Sequence, residues 1–569
     1  MIFMLDKLIK LLFFCLLFLS FSFAIVAVNS LDSRDVISAT YYAAVTNDKI
    51  VILYPNYDAD VFYKKIGVNN NVLLIQSSQK PVVAGVADIL TNKGNTVQIF
   101  LSDDPYETNL KLAEKSGAQR FIIVDPLYGY NVVSCLAYAK LNGMYLIFAN
   151  KENIDSVKEN IDSVVKFLQT KKPKEILVYG YVDEEVKNNF SNKGISYSEI
   201  NKGDKFLDNM ELLDRYFKQN PSKKQVVLAD GNGIEDTIAD GNDPVLFIGT
   251  LIPMDVYNYL KQKINEGQIN VGLVVDNDYV QAAYNLKQSL NKELGEKKFN
   301  VLVKIGQSAA GEGTPNPVPI LPLRAPIVGL AIEKVEYNTA TKALEVTYVN
   351  KGNAPEYVKS NLIVFVNNNR QATLGDEEPF LLSRDAKLGK SYPVNVEEGE
   401  IVVNITSLYG LSKRNLDNGI AGMFVAGKVN YVDNSALAIS DISYNANSRE
   451  LLVTFINNGI VPVFFKADLE LKGSASIKME DDKVYYLNNS QGRTITFVLP
   501  STVTSNDRVI VGANYGVREA FLNKRVEKEY ALAAPTFSLD ANVVYLLLIL
   551  LLIAIIVYLV MKNSAKNKK

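Results

Sequence analysis

The chain has 569 residues, 48% hydrophobic and 21% charged, enough for roughly three to five domains with cores of their own. Its 60 basic and 62 acidic residues leave no excess of positive charge, which argues against a nucleic-acid partner. There is no histidine, so Ser–His–Asp and Cys–His relays and His-ligated metals are excluded, and Cys15 and Cys135 are the only cysteines.

Residues 1–24 carry Lys7 and Lys10, then an apolar run from Leu11 to Leu19, with Ser22 and Ala24 at small-residue positions. This predicts a signal peptide cleaved after Ala24; an uncleaved N-terminal anchor is the competing reading, because apolar residues continue through Val28. Cys15 follows Phe14, so it lacks the small residue a lipoprotein box needs.

A repeat with a period near 95–100 residues comes next. Segment 35–52 aligns without gaps with 131–148, and 236–248 is a trimmed third copy. Strands are predicted at 71–76, 97–100, 121–124, 175–179, 225–229 and 270–275. Amphipathic helices are predicted over 153–169 and 254–265. Apolar strands alternating with helices imply parallel sheets covered on both faces, over residues 25–304. The first copy lacks a recognisable strand before its opening helix. Residues 305–326, rich in Gly, Ala and Pro, read as a linker.

A second repeat has a constant offset of 107, matching 330–355 with 437–462. Leu330, Tyr337, Leu344, Asn350, Gly352 and Pro355 recur identically. Alternating strands of this length predict two tandem immunoglobulin-like β-sandwiches, 327–430 and 431–534. A spacer at 535–542 leads to 543–561, uncharged and close to the roughly 20 residues that cross a bilayer as a helix. The lysines of the tail at 562–569 then place the tail in the cytoplasm and the remainder outside, as a single-pass membrane protein of the cell surface.

The strand, polar loop, Asp or Asn, small-residue helix and "apolar-Pro-apolar" strand such as Pro244–Val245–Leu246–Phe247 resemble the type 2 cell-wall-binding repeat of surface-layer and envelope proteins. The likeness covers about 33–304 and implies three Rossmann-like repeats packed as one pseudo-threefold module. Runs 346–353 (VTYVNKGN) and 453–460 (VTFINNGI) resemble CARDB-like and related immunoglobulin-like domains of prokaryotic surface proteins. Together these resemblances imply an envelope protein, best fitted to an archaeal cell.

The acidic cluster 230–243 offers Asp230, Asn232 and Asp236 as oxygen ligands for calcium, but Ile234 breaks the EF-hand spacing. The repeat supplies a simpler reading, in which Asp35, Asn131 and Asp236 cap three helices. No phosphate-binding glycine motif occurs, Cys135 reads as a buried small hydrophobe, and no carboxylate pair stands out, so no catalytic residue, cofactor or enzymatic activity is expected. Sequons at Asn189, Asn404 and Asn488 are candidate N-glycosylation sites. The favoured function is a structural surface-layer component or associated envelope protein that contacts itself, other envelope proteins or envelope glycans. The alternative is a membrane-anchored adhesin or glycan-binding receptor.

Overall fold

The computed structural model describes residues 25–532, apart from 56, 58, 151–159, 296–297, 307–316, 446–447, 473–476, 482 and 500–507. Two compact units result, dividing between Val432 and Asp433.

The first unit opens with three strand–helix repeats. Repeat one contains β1 (Ile25–Asn29), α1 (Ser33–Thr46), β2 (Lys49–Ile52), α2 (Ala59–Ile66), β3 (Asn71–Ser77), α3 (Val86–Asn92) and β4 (Thr96–Ser102). Helix α4 (Pro105–Ser116) leads into repeat two: β5 (Arg120–Val124), α5 (Gly129–Asn142), β6 (Met144–Phe148), α6 (Ile161–Lys171), β7 (Glu175–Tyr179), α7 (Glu184–Asn192) and β8 (Ser198–Ile200). Helix α8 (Lys205–Gln219) leads into repeat three: β9 (Gln225–Ala229), the short β10 (Gly233–Ile234), α9 (Asp236–Ala239), β11 (Val245–Phe247), α10 (Met254–Asn265), β12 (Val271–Val274), α11 (Val280–Leu294) and β13 (Asn300–Val303).

Each repeat forms a four-stranded parallel sheet with the same order: β2-β1-β3-β4, β6-β5-β7-β8 and β11-β9-β12-β13. Such sheets need apolar side chains on both faces. The burial of every residue of β1 and β6 satisfies that need. One continuous core runs through all three repeats, from Val26 and Tyr41 through Phe121 and Tyr145 to Leu228 and Phe247. Local signals set the helix ends. Asp32 caps α1, Asp104 caps α4 with Pro105 as its first residue, and Asp204 caps α8 through the Phe206 and Leu207 N–H groups.

Strand β1 is the element missing from the sequence reading. Ile25–Asn29 looked like the tail of the apolar leader, yet it is the central strand of the first sheet, paired with both β2 and β3. The stretch expected as linker is also more ordered than a spacer where it is described. β14 (Leu321–Pro322) pairs antiparallel with β10, and the Arg324 carbonyl accepts the Gly129 N–H at 3.0 Å.

The rest of this unit is a sandwich of β15 (Leu330–Asn338), β16 (Ala343–Asn350), β17 (Glu356–Val366), β18 (Asn369–Gly375), β19 (Phe380–Leu382), β20 (Lys387–Pro393), β21 (Ile401–Gly410), β22 (Asn418–Val425) and β23 (Gly427–Val429). Its sheets are β20-β16-β15-β23 and β18-β17-β21-β22, with β19 beside β17. The second unit is another sandwich: β24 (Leu437–Asn445), β25 (Glu450–Asn457), β26 (Val463–Lys472), β27 (Ile477–Glu480), β28 (Tyr485–Leu487), β29 (Gly492–Val498), β30 (Arg508–Gly516) and β31 (Lys524–Ala531). Its sheets are β24-β25-β29 and β27-β26-β30-β31, with β28 beside β26.

The fold class and localisation expected from sequence need correction. The structure is an α/β parallel-sheet region followed by an antiparallel β-rich region. Among the described residues no helix is long and apolar enough to cross a membrane. The expected leader at 1–24, span at 543–561 and tail at 562–569 lie outside the described residues, and the single-pass assignment is withdrawn.

Candidate functional site

The three repeats meet at joints, and two of the joints are built from the same residues. Helix α4 packs on α1 and on β6 of the next repeat. There the Asn109 amide donates to the Leu146 carbonyl (3.0 Å) and to Ser38 Oγ (3.0 Å), while its oxygen accepts the Phe148 N–H (3.2 Å). One repeat later, Asn209 of α8 donates to the Val245 carbonyl (2.9 Å) and Ser134 Oγ (2.8 Å) and accepts the Phe247 N–H (3.0 Å). A carboxamide carries a donor and an acceptor spaced like a peptide unit. Each asparagine therefore closes the free edge of the neighbouring sheet in place of a fifth strand. Sequence reading missed both, although Asn109–Leu110–Lys111–Leu112 and Asn209–Met210–Glu211–Leu212 stand 100 positions apart.

The third joint differs. Among the described residues no helix follows β13 in the way that α4 follows β4 and α8 follows β8. Among the described residues no side chain bonds to the Ile50 carbonyl or Ile52 N–H of β2, the positions matching Leu146 and Phe148. Repeat three instead reaches repeat one through Asp236, which accepts from Tyr54 Oη (3.1 Å) and pairs with Lys65. Beside this contact lies a depression of about 330 Å³ lined by Tyr54, Pro55, Tyr57 and Pro317–Ile320. Its lining is aromatic, proline and aliphatic, next to the Asp236–Lys65 pair.

The acidic cluster is dispersed rather than convergent. Asp230 accepts from the Asn232 N–H (2.8 Å), from the Asn232 amide and from Tyr279 Oη (2.8 Å). Asp236 faces repeat one, as above. Glu235 pairs with Lys304 at 2.5 Å and Asp243 with Lys223 at 2.6 Å. Of the calcium candidates, Asp230 and Asn232 bond to each other while Asp236 turns to repeat one, and among the described residues no group of three or more acids is placed to hold a metal ion.

The helix caps are not the residues expected. Asp32 caps α1, Tyr128 occupies the cap position of α5, and Glu235 caps α9 by accepting the Ile238 N–H at 2.9 Å. Asp35 and Asn131 lie inside their helices and are buried. Burial raises the Asp35 carboxyl to about 6, against the pull of hydrogen bonds from Ser102 (2.6 Å) and Ser30 (2.7 Å). Cys135 is buried in α5, and burial pushes its thiol well up.

A further polar contact joins repeat two to the first sandwich. The α8 cap, Asp204, accepts from Ser412 Oγ and lies 3.6 Å from the Arg414 guanidinium, which also pairs with Asp255 of α10. Tyr357 Oη donates to the Gly203 carbonyl at 3.2 Å. Nearby, burial pushes Asp208 up to about 7; Asp204 and Glu211 add repulsion, while the Lys202 N–H opposes it. Of the sequons, the Asn189 amide bonds to the Glu185 carbonyl within α7, and Asn488 accepts from Tyr486 Oη in an exposed turn. Asn404 sits mid-strand in β21.

No family model and no curated protein matches this sequence. Among solved structures, Cwp8 from Clostridium difficile is similar at 14% identity and a TM-score of 0.38, over 48% of this chain and 47% of that one. The match thus spans about half of Cwp8. The class 5 fimbriae chaperone CfaA is similar at 14% identity and a TM-score of 0.13, over 36% of this chain and 99% of that one. Red sea bream transglutaminase follows at 9% identity and 0.13, over 43% and 33%.

Proposed function

We propose that this chain is a structural cell-surface protein, a surface-layer component or an envelope protein associated with one. The observation that supports this most is the reuse of one joint. Asn109 and Asn209 fuse the repeats into a single core through identical bonds, and the acids of the 230–243 cluster are engaged in ion pairs and turns. Polar chemistry in this module holds elements together, and no catalysis is assigned to it. Its partners in this reading are copies of itself, other envelope proteins and envelope glycans. Electron microscopy of isolated envelopes, with their total protein composition, tests it. An abundant protein in a periodic array is expected; a scarce, scattered one overturns the reading.

An adhesin or glycan-binding receptor is the second reading, favoured by the Tyr54–Tyr57–proline depression. A sugar screen that is positive for the protein and lost on Tyr57→Ala supports it. A negative screen removes it.

A further inference from the structure

The two sandwiches present the same sheet face to solvent with opposite chemistry. In the first, register places Ile363, Asn404 and Met423 side by side across β17, β21 and β22, with Phe365, Val402 and Val425 in the next row. In the second, the corresponding rows are Glu470–Ile510–Glu529 and Lys472–Arg508–Ala531. Over four such rows of β17, β21 and β22, Lys359 is the one charged residue in the first sandwich, with Arg370 of the neighbouring β18 beside Phe365, whereas the second carries eight. Ion pairs tie those charges across the strands: Arg525 to Asp468 at 2.7 Å and Arg508 to Glu529 at 3.3 Å.

An apolar face on an edge strand is a liability in water. Met423 is 70% exposed and Val425 66%. Asn404 lies at the centre of this face, and Thr406, two residues along the same strand, points the same way, with Ile405 buried between them. Among the described residues the side-chain amide of Asn404 makes no hydrogen bond, its backbone being paired within the sheet. The matching stretch of the second sandwich, Ile510–Val511–Gly512, has no sequon and stands among charges.

We propose that Asn404 carries an N-linked glycan that lies over the apolar face of the first sandwich. The amide nitrogen of Asn404 bonds to the anomeric carbon of a glycan carried on an isoprenoid phosphate or diphosphate. The donor's carbon–oxygen bond breaks, the isoprenoid phosphate leaves, and the amide proton passes to a base of the transferase. The apolar faces of the sugar rings then pack on Ile363, Phe365 and Met423 while their hydroxyls remain in water. A second copy of the chain suits this face less well. A dry interface would bury the Asn404 amide, Thr406 and Asn361 without partners, at about 1–3 kcal/mol each. Because β21 is a central strand, transfer must precede folding of the sandwich.

This inference rests on the surface reading, since only exported chains meet such a donor. The full chain purified from the cells that produce it is therefore examined twice. Labelling intact cells with a membrane-impermeant amine reagent tests the surface location. The mass of the peptide spanning Asn404 tests the glycan. The expected result is a labelled protein with most copies glycosylated at Asn404. Both Asn404→Gln and Thr406→Val should lose that mass and raise binding of a hydrophobic dye several-fold. Adding Met423→Glu and Val425→Lys should return dye binding to the original level. A labelled protein with unmodified Asn404 overturns the glycan alone, and an unlabelled one overturns the surface reading with it. Unchanged dye binding in both sequon variants overturns the covering role.

Discussion

The two sandwiches share their interior and diverge at their surfaces. Asn350 donates to the carbonyls of Ala354 (2.8 Å) and Leu382 (3.2 Å) and accepts the Gly352 N–H (2.7 Å). Asn457 repeats this with Val461 (2.8 Å), Leu487 (3.3 Å) and Gly459 (2.9 Å). The first strand of each is bulged at the same place, between Ile332 and Lys334 and between Ile439 and Asp441. Inside, the fold dictates the residues. Outside, each copy answers to what it touches, and that is where charge gives way to the apolar face around Asn404.

Removing the shared asparagine is the strongest test of that comparison. Asn350→Ala and Asn457→Ala each leave two carbonyls and a buried N–H without their partner, at a cost of about 2–3 kcal/mol. Denaturant unfolding should show equal losses, with Asn350→Ala acting on the first unit and Asn457→Ala on the second. Unequal losses would mean that the copies do not share one stabilising design.

A smaller effect separates the copies by pH. At the start of β17 the first sandwich buries Glu356, where β26 of the second begins with Val463. Burial raises the Glu356 carboxyl to about 7, opposed by the Gly329 N–H that bonds one oxygen at 3.0 Å; the other oxygen has no partner. A carboxyl raised on folding stabilises below its unfolded value of about 4.3, and that stability is lost as pH rises through 7. Relative to Glu356→Gln, the native chain should therefore gain about 1 kcal/mol from pH 8 to pH 4, after allowance for solvent screening. Melting followed across that range checks it, and Val463→Gln in the second unit should show no such slope.

Much of the strand pattern was legible because buried parallel strands are short apolar runs. Residues 121–124, 175–179 and 225–229 are strands where those runs stand. The same logic failed at Ile25–Asn29, where a strand adjoins an apolar leader and composition cannot separate them. The caps failed for a different reason. A three-residue shift turns a cap into an interior position, so Asp32 and not Asp35 ends up accepting the Arg34 N–H. The joints made by Asn109 and Asn209 depend on contacts between repeats, which period alone does not reveal. The face around Asn404 became readable only once register placed it beside Ile363 and Met423.

The smallest expected effect concerns the tips between the last long strands of each sandwich. In the first, Ser412 and Arg414 reach Asp204 and Asp255 of the α/β module. In the second, the equivalent tip folds back on its own unit: the Val517 N–H donates to Asp433 at 3.3 Å, and Lys524 lies 3.5 Å from the same carboxylate. Both contacts are partly exposed, so each is screened, and Arg414→Ala or Lys524→Ala should cost only about 0.5–1 kcal/mol. Their consequences should differ in kind. Arg414→Ala loosens the first sandwich from the module, so limited proteolysis should cut faster near 305–326 while the melting temperature hardly moves. Lys524→Ala should leave that region's cleavage rate unchanged, because its contact lies wholly within the second unit. Equal acceleration by both variants would show that the first tip is not what secures the module to its sandwich.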